Sequence, residues 1–307
     1  MNYVLFIGSK LGYKMLELMS EKNTHIIYVF VEKEHEHENE TFYRQAIKLC
    51  EENNINFRLN ASNKEVIECL NAIPTNIEYI MSFGYRKMIS PEVVDRASIA
   101  ALGSHFSPLP RYRGFAPLNW LLINGEDYTA VNLFFLEQEV DNGDIVASKE
   151  IEIAYCDNIN SLFDKCLSTF EELMIKTLPS LENNNFTASK QSNEEASYTC
   201  ARSPEDGKIN WASSSYDIYN LVRGLTYPYP GAYTYFENKK LIVVSCEEYN
   251  PGNYVGRVPG RVIKVIKGRG VVVLCGDKAI CIKKVIDQDG KVHRANNLIT
   301  SVRATLR

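Results

Sequence analysis

Five short apolar runs, at residues 3–8, 25–31, 56–59, 77–83 and 99–105, alternate with helix-patterned stretches along the first third of the chain. An order of that kind closes off most architectures and predicts a parallel sheet with helices packed on its faces. The runs at 3–8 and 25–31 are rich in β-branched and aromatic residues, as strands buried on both faces require. Between them residues 11–19 read as a helix. Tyr43, Ala46, Ile47 and Cys50 recur at helical spacing and give a second helix one apolar face. Beyond Gly84-Tyr85-Arg86, Ser90-Pro91-Glu92 marks a helix start, with Ser at the N-cap and Pro at the first helical position. Sheets of this type bind ligands at the carboxyl ends of their strands, so the loops after Phe83 and His105 are where a site is expected.

With 307 residues, 45% hydrophobic and 23% charged, the chain has enough material for a sizeable core and enough length for two domains. A long amphipathic helix at 160–178 is closed by Pro179. Asn183-Asn184-Asn185 and Gln191-Ser192-Asn193-Glu194-Glu195 then read as linker. Beyond residue 205, strands at 241–246, 261–266, 270–275 and 279–286 follow one another across Gly-rich turns, the pattern of a small β-barrel. A helix at 216–225 joins the two parts, and no internal repeat is present. No apolar run reaches about 18 residues, and the N-terminus lacks the makeup of a signal peptide, so a soluble cytoplasmic protein is expected. Eight cysteines without a CxxC pair are expected as reduced core residues.

The net charge of −4 hides an asymmetry: residues 255–307 carry twelve Lys or Arg against three Asp, a net +9, which leaves −13 on residues 1–254. A basic C-terminal piece on an acidic body suits contact with nucleic acid or another polyanion, or simply a solvated lysine-rich sheet surface.

Chemistry-bearing residues concentrate in two loops. The first follows the strand that ends at His105 and is stiffened by Pro108 and Pro110. A histidine there can act as general acid or base near neutral pH, or be a satisfied core residue. The second is Glu137-Gln138-Glu139-Val140-Asp141-Asn142-Gly143-Asp144-Ile145, whose carboxylates can stabilise an imidazolium and fix its tautomer. One histidine and two carboxylates from a tight turn are a poor metal site, and none is expected.

These residues resemble a known family. His-x-Ser-x-Leu-Pro-x-Tyr-Arg-Gly at 105–114, Ala116-Pro117-Leu118-Asn119-Trp120, Asn124-Gly125-Glu126 and Asp141-x-Gly-Asp144-Ile145 are similar to the catalytic domain of formyltransferases that use N10-formyl-tetrahydrofolate. Arg202-x-Pro-Glu-Asp-Gly-x-Ile-x-Trp211 and Pro228-Tyr229-Pro230-Gly231-Ala232 carry the likeness into the second domain. Within that family the chain most resembles sugar N-formyltransferases such as the formyltransferase domain of the bifunctional UDP-4-amino-4-deoxy-L-arabinose enzyme. The resemblance implies a Rossmann-like catalytic domain over residues 1–200 and an OB-like β-barrel over 201–307. It implies a catalytic pair, His105 and Asp141, with folate held by Lys87, Met88, Ile89, Phe115, Glu137, Gln138, Glu139, Val140 and Asp141. Met88, Ile89 and Val140 would offer an apolar slot, though Met88 and Ile89 also read as ordinary core. Ser107, Arg111 and Arg113 are candidates for the substrate, the arginines meeting a diphosphate or bracing the loop.

One position departs from the family pattern. The residue two before the histidine is an Asn in these enzymes, where its amide donates to the developing oxyanion; here it is Gly103. Protonated His105, Ser107 or a water in the space beside Gly103 would have to supply the missing bond. The alternative is a catalytically impaired folate- or sugar-binding protein.

The implied amine belongs to a dTDP- or UDP-linked amino sugar or to methionyl-tRNA. Residues 32–40 carry five Glu against one Lys, which would repel a phosphate backbone and argues against nucleic acid. His35 and His37 in that stretch read as part of a solvated acidic loop rather than as metal ligands. A sugar-nucleotide partner is therefore expected, with a homodimer as the assembly the resemblance suggests.

Overall fold

The computed structural model describes residues 1–34 and 41–307. Its first elements in chain order are β1 (Asn2–Ile7), α1 (Ser9–Glu21), β2 (His25–Val31), α2 (Tyr43–Glu52), β3 (Asn56–Leu59), α3 (Asn63–Asn71), β4 (Tyr79–Phe83), α4 (Pro91–Val94), β5 (Ala100–His105) and β6 (Arg113–Gly114). There follow α5 (Pro117–Ile123), β7 (Tyr128–Phe135), β8 (Ile145–Glu152), α6 (Ile159–Glu182) and β9 (Tyr198–Thr199). The rest comprises α7 (Ser215–Leu225), β10 (Ala232–Phe236), β11 (Lys239–Tyr249), β12 (Val262–Ile266), β13 (Gly270–Leu274), β14 (Ala279–Ile286), β15 (Val292–Arg294) and α8 (Ala295–Leu298).

Packing divides these residues into two compact units. One is Met1–Gly114, Tyr128–Glu152 and Asp164–Thr199; the other is Phe115–Asp127, Ile153–Phe163 and Cys200–Arg307. Residues 115–127 and 153–163 thus pack with the second unit, while the rest of residues 1–199 form the first.

The first unit is built on a seven-stranded sheet in the order β3-β2-β1-β4-β5-β7-β8. Its first five strands are parallel, and their apolar runs make the stacked ring pairs Tyr3/Tyr79 and Phe6/Phe30 in the core. The other two strands extend the sheet antiparallel: β7 to β5, and β8 to β7. β7 and β8 are joined by a loop too short for a helical crossover, so they form a hairpin. α3 is an element the pattern reading missed, although its start signal stands in the sequence. Ser62 and Glu65 form a capping box, and the Ser62 amide with the Arg58 guanidinium holds the Glu65 carboxyl at about 2. α6 likewise runs past Pro179 to Glu182. The proline sits in the final turn, where its missing N–H costs a single helical hydrogen bond.

The acidic stretch is also less solvated than expected. Glu32 and Glu34 are buried; Glu32 accepts from the Arg86 amide at 2.7 Å, and Glu34 from the Phe42 amide at 2.7 Å at the start of α2. His35, His37 and the remaining glutamates of that stretch lie outside the described residues.

The second unit holds an antiparallel sheet in the order β10-β11-β14-β13-β12, with β15 on β14, around a core of Ile209, Trp211, Ile218, Val222 and strand valines. Its edges are bridged by the C-terminal residues. Arg307 exchanges backbone hydrogen bonds with Tyr235 on β10, and Ala304 and Leu306 bond Val262 and Gly260 beside β12. All eight cysteines are free thiols; Cys156 and Cys200 are exposed, against the expectation that all were core residues.

Candidate active site

His105 is the last residue of β5, in the middle of the first sheet. Its neighbour across the strands is Asn132 of β7, an amide that is 1% exposed. Asn132 Nδ2 donates to the carbonyls of His105 (3.0 Å) and Ser107 (2.6 Å), and its Oδ1 accepts from Ser148 Oγ (2.7 Å). A buried amide with every partner made fixes the direction in which the chain leaves β5. Asn132 was missed in the sequence, where its signal is a lone polar residue inside the apolar run Ala130-Val131-Asn132-Leu133-Phe134.

So held, the His105 ring is 8% exposed and has an oxygen at each nitrogen: Tyr112 O at 2.8 Å from Nε2 and Asp141 Oδ2 at 3.3 Å from Nδ1. Both oxygens only accept. A neutral imidazole can donate to one of them, whereas the protonated ring donates to both. Asp141 Oδ2 also accepts from the Gly114 amide at 2.8 Å. The two residues singled out from sequence as the catalytic pair are thus in contact.

The loops that deliver them are anchored by a segment read as linker. β6 pairs with β9; the Tyr112 amide donates to Ser197 Oγ (3.0 Å) and the Arg113 amide to Ser197 O (2.8 Å). Arg113 itself is fully buried, donating to Gln191 Oε1, Asn193 Oδ1 and Tyr198 OH. This corrects its candidacy for substrate: a diphosphate has no access to that guanidinium, and the bracing role is the one its contacts show. Ser107 is corrected for the same reason, since it is fully buried and its hydroxyl donates to Arg111 O at 2.8 Å. Arg111 is half-exposed, with its guanidinium over the Tyr112 ring at 5.6 Å and one nitrogen donating to Tyr128 OH at 3.2 Å.

The expected folate positions are mixed. Met88 is 64% and Val140 42% exposed, while Ile89 packs on the cluster around Val66, Ile80 and Val93 as ordinary core. Lys87 donates to Ala61 O at 3.3 Å. Glu137, Gln138 and Glu139 are exposed, with Glu139 accepting from Asn142 Nδ2. Phe115, 61% exposed, belongs to the second unit. In that unit Arg202 lies over the Trp120 ring at 5.7 Å, and burial holds its guanidinium below the ordinary arginine value.

The space beside Gly103 is narrow. A Cβ there would stand 2.7 Å from Leu136 Cδ2 and 3.3 Å from the Phe134 ring, so an Asn side chain enters only if the end of the Leu136 side chain shifts. Gly103→Asn is expected to lower stability by about 1–3 kcal/mol through overpacking. Gly103→Asn with Leu136→Ala should recover most of that loss, as read from urea midpoints; equal midpoints for Gly103→Asn and the unaltered chain would show that the space is open.

Residues 2–178 match the family described as formyl transferase, and residues 202–303 match the formyl transferase C-terminal domain. The chain belongs to the formyl transferase family. The bifunctional polymyxin resistance protein ArnA of Wigglesworthia glossinidia brevipalpis is 34% identical over 260 residues, which is 81% of this chain and 37% of that protein. Among solved structures, HypX from Aquifex aeolicus, in complex with tetrahydrofolic acid, is 16% identical with a TM-score of 0.65, covering 97% of this chain and 47% of that one. An N-formyltransferase from Helicobacter canadensis, in complex with folinic acid and dTDP-3-aminofucose, is 18% identical with a TM-score of 0.68 over 92% of this chain and 98% of that one. At these identities the two structures share the formyltransferase fold, a parallel-rich sheet followed by a separate antiparallel sheet. This chain spans less than half the length of ArnA and of HypX.

Proposed function

We propose that this formyltransferase moves the formyl group of N10-formyl-tetrahydrofolate to the primary amine of a dTDP- or UDP-linked amino sugar. The observation that carries the reading is the His105–Asp141 contact at the carboxyl end of a central strand, within a chain of this family. The folate supplies the formyl carbon that bonds to the amine nitrogen as its bond to N10 breaks. The rest is done by side chains. His105 takes a proton from the attacking amine and returns one to the departing nitrogen, and Asp141 stabilises the imidazolium between those events. Ser107 Oγ is committed to Arg111 O, which leaves the protonated His105 ring or a water beside Gly103 as the donor to the formyl oxygen among those weighed from sequence. Met88 and Val140 offer exposed apolar surface to a flat ligand, and Arg111 is the arginine of the loop that a diphosphate can approach.

The sugar class is supported by the ArnA relative and by the dTDP-sugar complex of the Helicobacter protein. Methionyl-tRNA is the second reading, favoured by the +9 charge of residues 255–307. Burial of Glu32 and Glu34 weakens the opposing argument, which now rests on Glu36, Glu38 and Glu40. Mass spectrometry of products formed from N10-formyl-tetrahydrofolate and a panel of dTDP- and UDP-amino sugars, with methionyl-tRNA in parallel, separates the readings. A formyl mass gain on a sugar nucleotide alone is expected; formyl-methionyl-tRNA would replace the amine, and no product with any acceptor would leave a folate-binding protein without transfer.

A further inference from the structure

His105 ends β5, but its partner Asp141 lies in the loop between β7 and β8, at φ +52, a left-handed conformation unusual for a residue other than glycine. Something must hold that turn. Gln191, 50 residues further along, does so with all of its polar atoms. Its Nε2 donates to Asp141 O at 2.9 Å and to Gly143 O at 2.7 Å, the carbonyls on either side of the turn. Its Oε1 accepts from Arg113 Nε at 3.1 Å and Nη2 at 2.9 Å. The orientation of the amide follows from chemistry, since a guanidinium can only donate and carbonyls can only accept.

Arg113 closes a ring of hydrogen bonds. The residue before it, Tyr112, receives the His105 Nε2 contact; the residue after it, Gly114, donates to Asp141 Oδ2; and its own side chain, through Gln191, holds the Asp141 backbone. We infer that Gln191 is a positioning residue for formyl transfer, fixing the Asp141 turn so that its carboxylate meets His105 Nδ1, with the buried Arg113 as its anchor. The inference rests on the proposed chemistry for its kinetic consequence and on the geometry alone for its structural one.

Gln191→Glu separates positioning from support. The carboxylate keeps two acceptors for Arg113 and gains a charge pair, but loses both N–H donors to the turn. With N10-formyl-tetrahydrofolate and UDP-4-amino-4-deoxy-L-arabinose, kcat is expected to fall roughly 10–100-fold, the loss that a small misplacement of a catalytic group brings, while the sugar KM changes little and the protein stays folded with a lowered unfolding midpoint. Combined with Asp141→Asn it should cost nothing further, which additive loss of two structural contacts would not reproduce. A second readout needs no acceptor: the downfield ring-proton NMR signal of His105, assigned by its loss in His105→Gln, should change in Gln191→Glu as it does in Asp141→Asn. Wild-type kcat and an unchanged His105 signal in Gln191→Glu would overturn the inference. If Gln191→Glu does not fold, Gln191→Met is read in its place, and failure of both to fold would assign Gln191 to folding alone. An unaltered chain that formylates no amine, with the His105 signal still dependent on Gln191, would sink the proposed reaction and leave the positioning role standing.

Discussion

Replacing His105 with glutamine is expected to cut formyl transfer by roughly 10²–10⁴-fold, the contribution of a positioned proton-transfer group, and to leave the fold intact. Glutamine carries an N–H that can still reach Tyr112 O, so the loop after β5 keeps a tie where the imidazole has one at 2.8 Å. What it cannot do is accept a proton from an amine and pass one to a leaving nitrogen. The loss should therefore fall on kcat, with circular dichroism and the unfolding midpoint near those of the unaltered chain. Asp141→Asn should cost less, because the ring remains and only the stabilisation of its charged form is removed. A His105→Gln protein that retains more than a tenth of the wild-type kcat would show that proton transfer runs elsewhere.

Gly143→Ala is expected to be as damaging to activity, although Gly143 has no side chain to contribute. A Cβ there would collide with Phe135 O and lie 2.8 Å from Phe135 C, both main-chain atoms. Phe135 cannot retreat: it is paired with Leu102 across β5 and its amide donates to Asp144 O at 3.0 Å. The turn must move instead, and with it Gly143 O and Asp141 O, the two carbonyls that Gln191 holds. Displacing Asp141 by about 1 Å is expected to reduce kcat/KM by about 10²-fold, together with about 1–3 kcal/mol of stability lost to overpacking. Gly256→Ala is the control, since a Cβ at that position meets no atom within 4 Å. Equal kcat/KM and equal thermal midpoints for the two alanine variants would mean that the turn is not the rigid support that its contacts imply.

Much of the catalytic unit was legible in advance because its elements write themselves locally. Strands buried on both faces need unbroken apolar runs, and β1, β2, β3, β4 and β5 were found from those runs to within two residues at either end. The carboxyl-end rule then pointed to the loop after His105, and family likeness pointed to Asp141. α3 was equally legible and went unread, since Ser62 and Glu65 spell its capping box.

What stayed hidden has a common cause. A strand pattern records which residues are apolar and not the direction of a neighbour, so the antiparallel pairing of β7 with β5 was not legible in it. A polar stretch such as 191–195 has the composition of linker whether it hangs in solvent or donates two hydrogen bonds to the Asp141 turn. Arginines in one loop, Arg111 and Arg113, are alike in sequence and opposite in burial. The sequence by itself determined the five parallel strands of the first sheet and their order of appearance, and with the family likeness it brought His105 and Asp141 forward as a proposed pair. Only the tertiary structure decided that Gln191 joins Arg113 to the Asp141 turn and that Leu136 lies against Gly103, because those contacts join residues 33 to 78 positions apart through packing that no local spacing encodes.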